Sequence, residues 1–358
     1  MDLGIVVSED SFGEDSNGHP IRRFTLTNEN RMSVQVINYG ATITCIKVAD
    51  RKGNVDDVVL GFDDMAGYLS PINRSYYFGA TMGRVANRIY PTEFEFNGQQ
   101  ISVTKNVGEK HLHGGFRGFD KVIWDATIEE DRVIMTYLSV DGEEGLPGAV
   151  IATTIFQLTA DNKLVIIWKA TVTKPTLVNI STHCYFNVAG HASGSTGLLR
   201  QVLTINADKY AVLDDMVPTG ELRDVAGTGY DLRSPRKISD AMVDLETKDG
   251  YDINYCLNKS PLPPTFNFAA RVTDPETGRY MEVHTDQPGM QVYTSTTVPK
   301  FKAKRGAEYG KSCAICFETQ KYPNAVHIKS FPSIAVQPGK DYLHLVTYSF
   351  GTIKDNNY

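Results

Sequence analysis

The residues best suited to proton chemistry are one carboxylate, Glu318 in Cys316-Phe317-Glu318-Thr319-Gln320, and the histidines of two distant segments, His111-Leu112-His113-Gly114-Gly115 and Thr182-His183-Cys184-Tyr185-Phe186-Asn187. All three segments read as extended strand, in which side chains at i and i+2 share a face. Glu318 would then project with Gln320, His183 with Tyr185 and Asn187, and His111 with His113, while Phe186 and Phe317 point the other way into a core. Such a face displays an acid/base pair on a rigid framework. With ordinary pKa values of about 4.3 and 6.5, a Glu and a His need only modest tuning to take opposite roles near neutral pH.

A second reading of the same residues is a metal site of the cupin or facial-triad kind, because imidazoles on one face can share an ion with a carboxylate. A cupin-type site wants an acid soon after the second His, and Gly114, Gly115, Phe116, Arg117 and Gly118 follow instead, so no metal ligands are assigned. The thiol pair in Cys313-Ala314-Ile315-Cys316 is a lone CxxC with neither a βα context nor a second pair, and it reads as small strand residues.

Polar residues in unusual settings accompany the pair: Gly83-Arg84-Val85-Ala86-Asn87-Arg88, Gly250-Tyr251-Asp252-Ile253-Asn254 and Gln287-Pro288-Gly289-Met290-Gln291. Asn, Arg, Asp and Gln together suit the many hydroxyls of a sugar, with aromatic faces beneath its C–H surface. Adjacent Asn87 and Arg88 face opposite sides of a regular strand, so both reach one ligand only from a loop or bulge. Gly114-Gly115 permits a close backbone approach or positive φ.

The elements that must position these groups are strands. Alternating or β-branched runs cover 33–37, 41–48, 132–140, 149–159, 163–172, 201–207, 280–285, 291–296 and 342–350. Turn clusters such as Asn97-Gly98, Asp141-Gly142 and Thr277-Gly278 separate strands in antiparallel meanders. Helical signals reduce to Asp63–Leu69 and Ser234–Met242, each opened by an N-cap residue. No linker or repeat divides the chain, and Pro261-Leu262-Pro263-Pro264 reads as a rigid loop, so residues 1–358 are expected to form a single all-β domain, a large β-sandwich with few short helices.

The 358 residues carry 36 Lys plus Arg against 42 Asp plus Glu, a formal charge of -6 without a basic block, which argues against nucleic acid as a partner. No signal peptide or spanning run is visible, so a cytoplasmic protein with no membrane association is expected. Five cysteines, an odd count, suit reduced thiols. Oligomeric state is not legible.

In order along the chain, Asn38-Tyr39-Gly40-Ala41, Gly83-Arg84-Val85-Ala86-Asn87-Arg88-Ile89, His111-Leu112-His113-Gly114-Gly115 with Gly118-Phe119-Asp120-Lys121, Thr182-His183 with Tyr185-Phe186-Asn187, Gly250-Tyr251-Asp252, Gln287-Pro288-Gly289 with Gln291, and Glu318-Thr319-Gln320 resemble the galactose mutarotase, or aldose 1-epimerase, family. The resemblance runs from about Thr25 to Phe350, leaving residues 1–20 as a variable start. It implies a twisted antiparallel β-supersandwich with an open cleft, no cofactor, and an aldose such as galactose or glucose as substrate. It further implies Glu318 as general base and His183 as general acid, with Asn87, Arg88, His113, Asp252 and Gln291 binding the sugar. Two positions depart from the family pattern. Cys184 stands where Ser is common and is expected to face away from His183. Ile253 stands where a His often follows the Asp, and is expected to alter the sugar-gripping end. Two other functions compete: a non-catalytic sugar-binding protein on the same fold, and glycoside hydrolysis by Glu318 and Asp252.

Overall fold

The computed structural model describes residues 4–245, 249–259 and 266–353. The Pro261–Pro264 loop expected from the sequence lies outside them.

The architecture is an antiparallel β-supersandwich. Its largest sheet has nine strands: Asp125–Glu129, Arg132–Ser139, Val150–Leu158 and Lys163–Val172 form a meander, and the C-terminal Tyr342–Thr352 then joins that meander to Arg279–Thr285, Asn267–Thr273, Val202–Ile205 and Arg236–Lys237. A six-stranded sheet follows the order Tyr185–Phe186, Ile315–Gln320, Gly289–Tyr293, Asp252–Leu257, Ala207–Asp214, Val217–Asp224. A five-stranded sheet, Ile5–Glu14 through Val55–Asp57, is a simple meander. The strand that opens it falls within the stretch read as a variable start.

Alternation explains how these sheets bury one face. Lys163–Val172 alternates Leu164, Ile166, Trp168 and Ala170 inward with polar or half-exposed neighbours, the period-2 pattern of a strand covering a core on one side. In the six-stranded sheet, Phe317, Val292 and Ile253 are direct cross-strand partners and all lie in the main core, where Phe186 packs 6.4 Å from Phe317. Removing a ring such as Phe317 would cost about 3–5 kcal/mol. Asn97-Gly98 forms the expected two-residue hairpin, both at positive φ (50° and 74°), between Glu93–Phe96 and Gln99–Ser102.

Helices are short. Met65–Tyr68 is capped by Asp64, which accepts from the Gly67 N–H at 3.0 Å. The second expected helix begins only at Ile238, because Arg236–Lys237 pairs with Val202–Leu203 and is held in the nine-stranded sheet. Pro71–Tyr76, opened by Ser70, and Gly194–Leu199 were not anticipated. Among the described residues no helix is long and apolar enough to cross a membrane.

Candidate active site

The six-stranded sheet fixes half of the site through its register. Glu318 pairs directly with Gln291, which pairs with Asn254, so these side chains form a polar row across neighbouring strands. One step along, Tyr185, Cys316, Tyr293 and Asp252 are successive partners on the same face. Gln291 donates from Nε2 to Asp252 Oδ1 at 2.6 Å.

The other half comes from two irregular segments zipped together. Arg88–Ile89 pairs with His111–Leu112. Just outside the paired residues, the His113 N–H donates to the Asn87 carbonyl (3.0 Å) and the Asn87 N–H donates to His113 Nδ1 (3.1 Å). Asn87 (φ 63°) and His113 (φ 50°) are both left-handed. That turn at Asn87 allows both it and Arg88 to line the cleft, the loop solution demanded by their adjacency. Gly114 follows at φ 89°, and a Cβ there would lie 1.8 Å from the Gly83 carbonyl oxygen, so the close approach requires glycine.

His183 lies between two short strands, Ser181–Thr182 and Tyr185–Phe186, rather than within one. Its N–H donates to the Ala80 carbonyl at 2.9 Å and its carbonyl accepts from Gly79 N–H at 3.0 Å. Nε2 sits 3.6 Å from Glu318 Oε1, and Nδ1 sits 3.5 Å from Cys316 Sγ. Residues far apart in sequence thus meet as a buried pair, and Glu318 Oε2 has no hydrogen-bond partner among the described residues.

Glu318, His183, Asn87, Arg88, His113, Asp252 and Gln291 all line one cleft, with Ser75, Tyr76, Tyr77, Leu112, Tyr185, Tyr293 and Thr297. Past Tyr76, Arg88, Leu112 and Thr297 the cleft opens onto a wider groove of about 1380 Å³. The expected pairing of His111 with His113 does not occur. The left-handed turn at His113 separates them, and His111 is buried with Nδ1 2.9 Å from the Thr104 carbonyl. Asn187 is likewise structural, its amide donating to the Cys313 carbonyl at 2.9 Å. Cys184 faces the core, as expected. Ile253 does too, which corrects the expectation that it shapes the sugar-gripping end: as the cross-strand partner of Val292 it points away from the cleft. Tyr77 carried no sequence signal of its own, whereas Tyr293, two residues from Gln291 in the expected strand 291–296, could have been placed on the site face by alternation. Cys316, read as a packing thiol, stands beside His183 because it is two residues from Glu318 on the same face.

Burial sets the proton affinities. It pushes the Glu318 carboxyl well above the usual range, with the Asp252 carboxylate adding to the effect and Arg88 opposing it. Asp252 is itself raised by burial, against the pull of Arg88 and the Gln291 hydrogen bond. Burial drives His183 down to about 3. His113 also falls well below its ordinary value, through burial and then through repulsion by His183 and Arg88. Each effect follows from the cost of charge in a dry site.

His113, His183 and Glu318 place potential ligand atoms within 4.8 Å of one another. Because His113 Nδ1 accepts the Asn87 N–H, the proton of its neutral ring resides on Nε2. That nitrogen is therefore a donor rather than a lone pair, which suits a ligand oxygen better than a cation.

A sequence profile described as "Aldose 1-epimerase" matches residues 22–349. The chain belongs to the aldose 1-epimerase family. Among its relatives, the galactose mutarotase of Bos taurus is 39% identical over 332 residues, covering 92% of this chain and 94% of the relative. The aldose 1-epimerase of Escherichia coli strain K12 is 30% identical, with 93% and 96% covered. A solved GalM/aldose epimerase homologue from C. elegans superposes with a TM-score of 0.83 at 25% identity, covering 97% of this chain and all (100%) of that one. The fold class expected from the sequence is that of these aldose-epimerase relatives.

Proposed function

We propose that this protein is an isomerase, a mutarotase that interconverts the α and β anomers of galactose- or glucose-type aldoses. The observation that carries this reading is the buried His183–Glu318 pair, 3.6 Å apart and walled by Asn87, Arg88, His113, Asp252 and Gln291.

In the reactive arrangement Glu318 is a carboxylate and His183 an imidazolium. Glu318 removes the proton from the C1 hydroxyl while His183 Nε2 delivers one to the ring oxygen. The bond from C1 to the ring oxygen breaks and a C1 carbonyl forms. Rotation about the C1–C2 bond presents the other carbonyl face, and the two transfers run backwards to close the ring. No group is gained or lost, so the sequence of steps calls on no cofactor.

The pair holds one proton throughout. Ring opening converts carboxylate plus imidazolium into carboxylic acid plus neutral imidazole, which are the forms that burial favours. The dry cleft therefore assists opening, and the sugar's own polar groups, by replacing lost water, assist reclosure. His113, with its proton on Nε2, and Arg88 are placed to stabilise oxygen as charge develops. Asp252 and Gln291, already joined to each other, are placed to fix the remaining hydroxyls and hold the open chain until it recloses.

Two coarser points complete the reading. The family match over 22–349, and the pairing of Lys163–Val172 with the C-terminal Tyr342–Thr352, support residues 1–358 as one domain. The cysteines at 45, 184, 256, 313 and 316 are all buried free thiols, which supports a reducing compartment such as the cytoplasm.

The test is anomer exchange followed by polarimetry or NMR, starting from pure α-D-galactose or α-D-glucose. The protein should bring either to its anomeric equilibrium far faster than buffer. Exchange at the buffer rate would leave a binding protein only, and release of sugar from an aryl glycoside would favour hydrolysis instead.

A further inference from the structure

His183 lies nearly parallel to two phenol rings: Tyr185, with centroids 4.9 Å apart at 22°, and Tyr77, at 5.9 Å and 21°. Two further rings meet it at steep angles, His113 at 5.3 Å and 73° and Tyr293 at 6.1 Å and 81°. Both stacked tyrosines are held at a cost. Tyr77 occupies a left-handed conformation (φ 56°) at the end of Pro71–Tyr76, where its N–H donates to the Asn73 carbonyl at 2.7 Å, an unfavourable position for a bulky residue. Among the described residues the buried Tyr185 hydroxyl has no hydrogen-bond partner, which costs free energy that a phenylalanine would avoid.

A phenol face is electronegative and attracts a cation within about 6 Å, most strongly where water is excluded. We propose that Tyr77 and Tyr185 are positioning residues for the anomer exchange argued above, stabilising the imidazolium form of His183 through their ring faces while Cys316 aligns Nδ1. This rests on the mutarotase reading, in which His183 must carry a proton before ring opening.

The remaining groups around His183 leave that role to the rings. Glu318 faces Nε2 at 3.6 Å and, among the described residues, supplies the counter-charge paired with the ring. Asp252 lies two strands beyond it in the same cleft, bonded to Gln291 on the strand between. Arg88 in the cleft and Lys121, whose Nζ lies 4.9 Å from the Tyr77 ring centroid, are the nearby positive charges, and His113 is kept neutral by burial. Burial holds the Cys316 thiol protonated, so Nδ1 meets a weak sulfur partner rather than a carboxylate. A soft partner orients the ring without making it hold its proton too tightly to give up. Desolvation by itself would leave His183 neutral at pH 7. Each dry aromatic face raises the imidazolium-to-imidazole ratio by roughly tenfold or more.

The experiment compares Tyr77→Leu and Tyr185→Leu, which remove a face, with Tyr77→Phe and Tyr185→Phe, which keep it. The ¹⁵N resonances of His183, assigned by their loss in His183→Asn, are followed through an acid titration of the substrate-free protein and report its ratio of imidazolium to imidazole. Wild type and the Phe variants should show the same ratio at each pH. Each Leu variant should lower that ratio by roughly tenfold, and lower kcat by a similar factor with KM nearly unchanged. If a Leu variant does not fold, pentafluorophenylalanine at the same position keeps the shape, drains the face, and should give the same loss. An imidazolium-to-imidazole ratio indifferent to both Leu substitutions, or a kcat unchanged by them, would overturn the proposal. Ring-face dependence in a protein that exchanges no anomers would overturn the mutarotase reading alone.

Discussion

Replacing Glu318 with Gln tests the proposed chemistry at its centre. The substitution preserves shape on an interior strand, where, among the described residues, the side chain's Oε2 has no hydrogen-bond partner to lose. It removes the carboxylate that faces His183 Nε2 at 3.6 Å, which accepts the substrate proton and balances the imidazolium. A positioned base contributes about 10²–10⁴ in rate, equivalent to about 2.7–5.5 kcal/mol of barrier. We expect kcat for α-D-galactose exchange, measured by saturation-transfer NMR or polarimetry, to fall by that factor. Stability should be unchanged or slightly higher at neutral pH, because an amide replaces a carboxyl whose ionisation is penalised by burial and by Asp252. A thermal melt checks this in the same samples. A folded Glu318→Gln protein whose kcat stays within a few-fold of wild type would remove Glu318 from the mechanism, however well it is placed.

Asp252→Asn should raise KM by about 10- to 100-fold through loss of a charged hydrogen-bond acceptor. Because the Asp252 charge helps raise the Glu318 pKa, its removal lowers that value, so the alkaline fall in kcat/KM should move to lower pH; an unmoved alkaline limb would contradict the coupling. Ile253→Ala should cost about 2–5 kcal/mol in chemical denaturation while leaving the ratio of galactose to glucose turnover unchanged, and a changed ratio would place that side chain in contact with the sugar after all. Dialysis against a chelator should leave activity intact, as the His113 tautomer implies; loss restored by a divalent ion would reinstate a metal reading.

How much was legible depends on the kind of element. Strand runs with strict alternation, such as Lys163–Val172, could be delimited from the sequence because one face meets the core and the other does not. Strands without that contrast were missed. Ile5–Glu14 is largely exposed, and Asp252–Leu257 is buried along almost its whole length, so neither shows a clean period of two. The same rule placed Glu318 on a common face with Gln320, whereas Gln291 was assigned through the family resemblance and its pairing with Glu318 emerges only from the sheet. The rule failed at His111 and His113, where a left-handed turn interrupts the strand. Applied to Ile253 it would have placed that side chain opposite Asp252, and applied to Tyr293 it would have placed that ring beside Gln291. Tyr77 enters the cleft only through long-range packing, for which a single sequence holds no local signal.

The row formed by Glu318, Gln291 and Asn254 crosses three interior strands through direct partners. A slip of one residue between any two of them would turn the polar set into the hydrophobic interior and expose Phe317 or Val292 in its place. Misassembly of this sheet is therefore penalised by the same solvent forces that build it, and a chain that reaches its stable state has the reactive groups already aligned. New sugar preferences can accordingly arise by exchanging side chains in place, with no change to the scaffold's pairing.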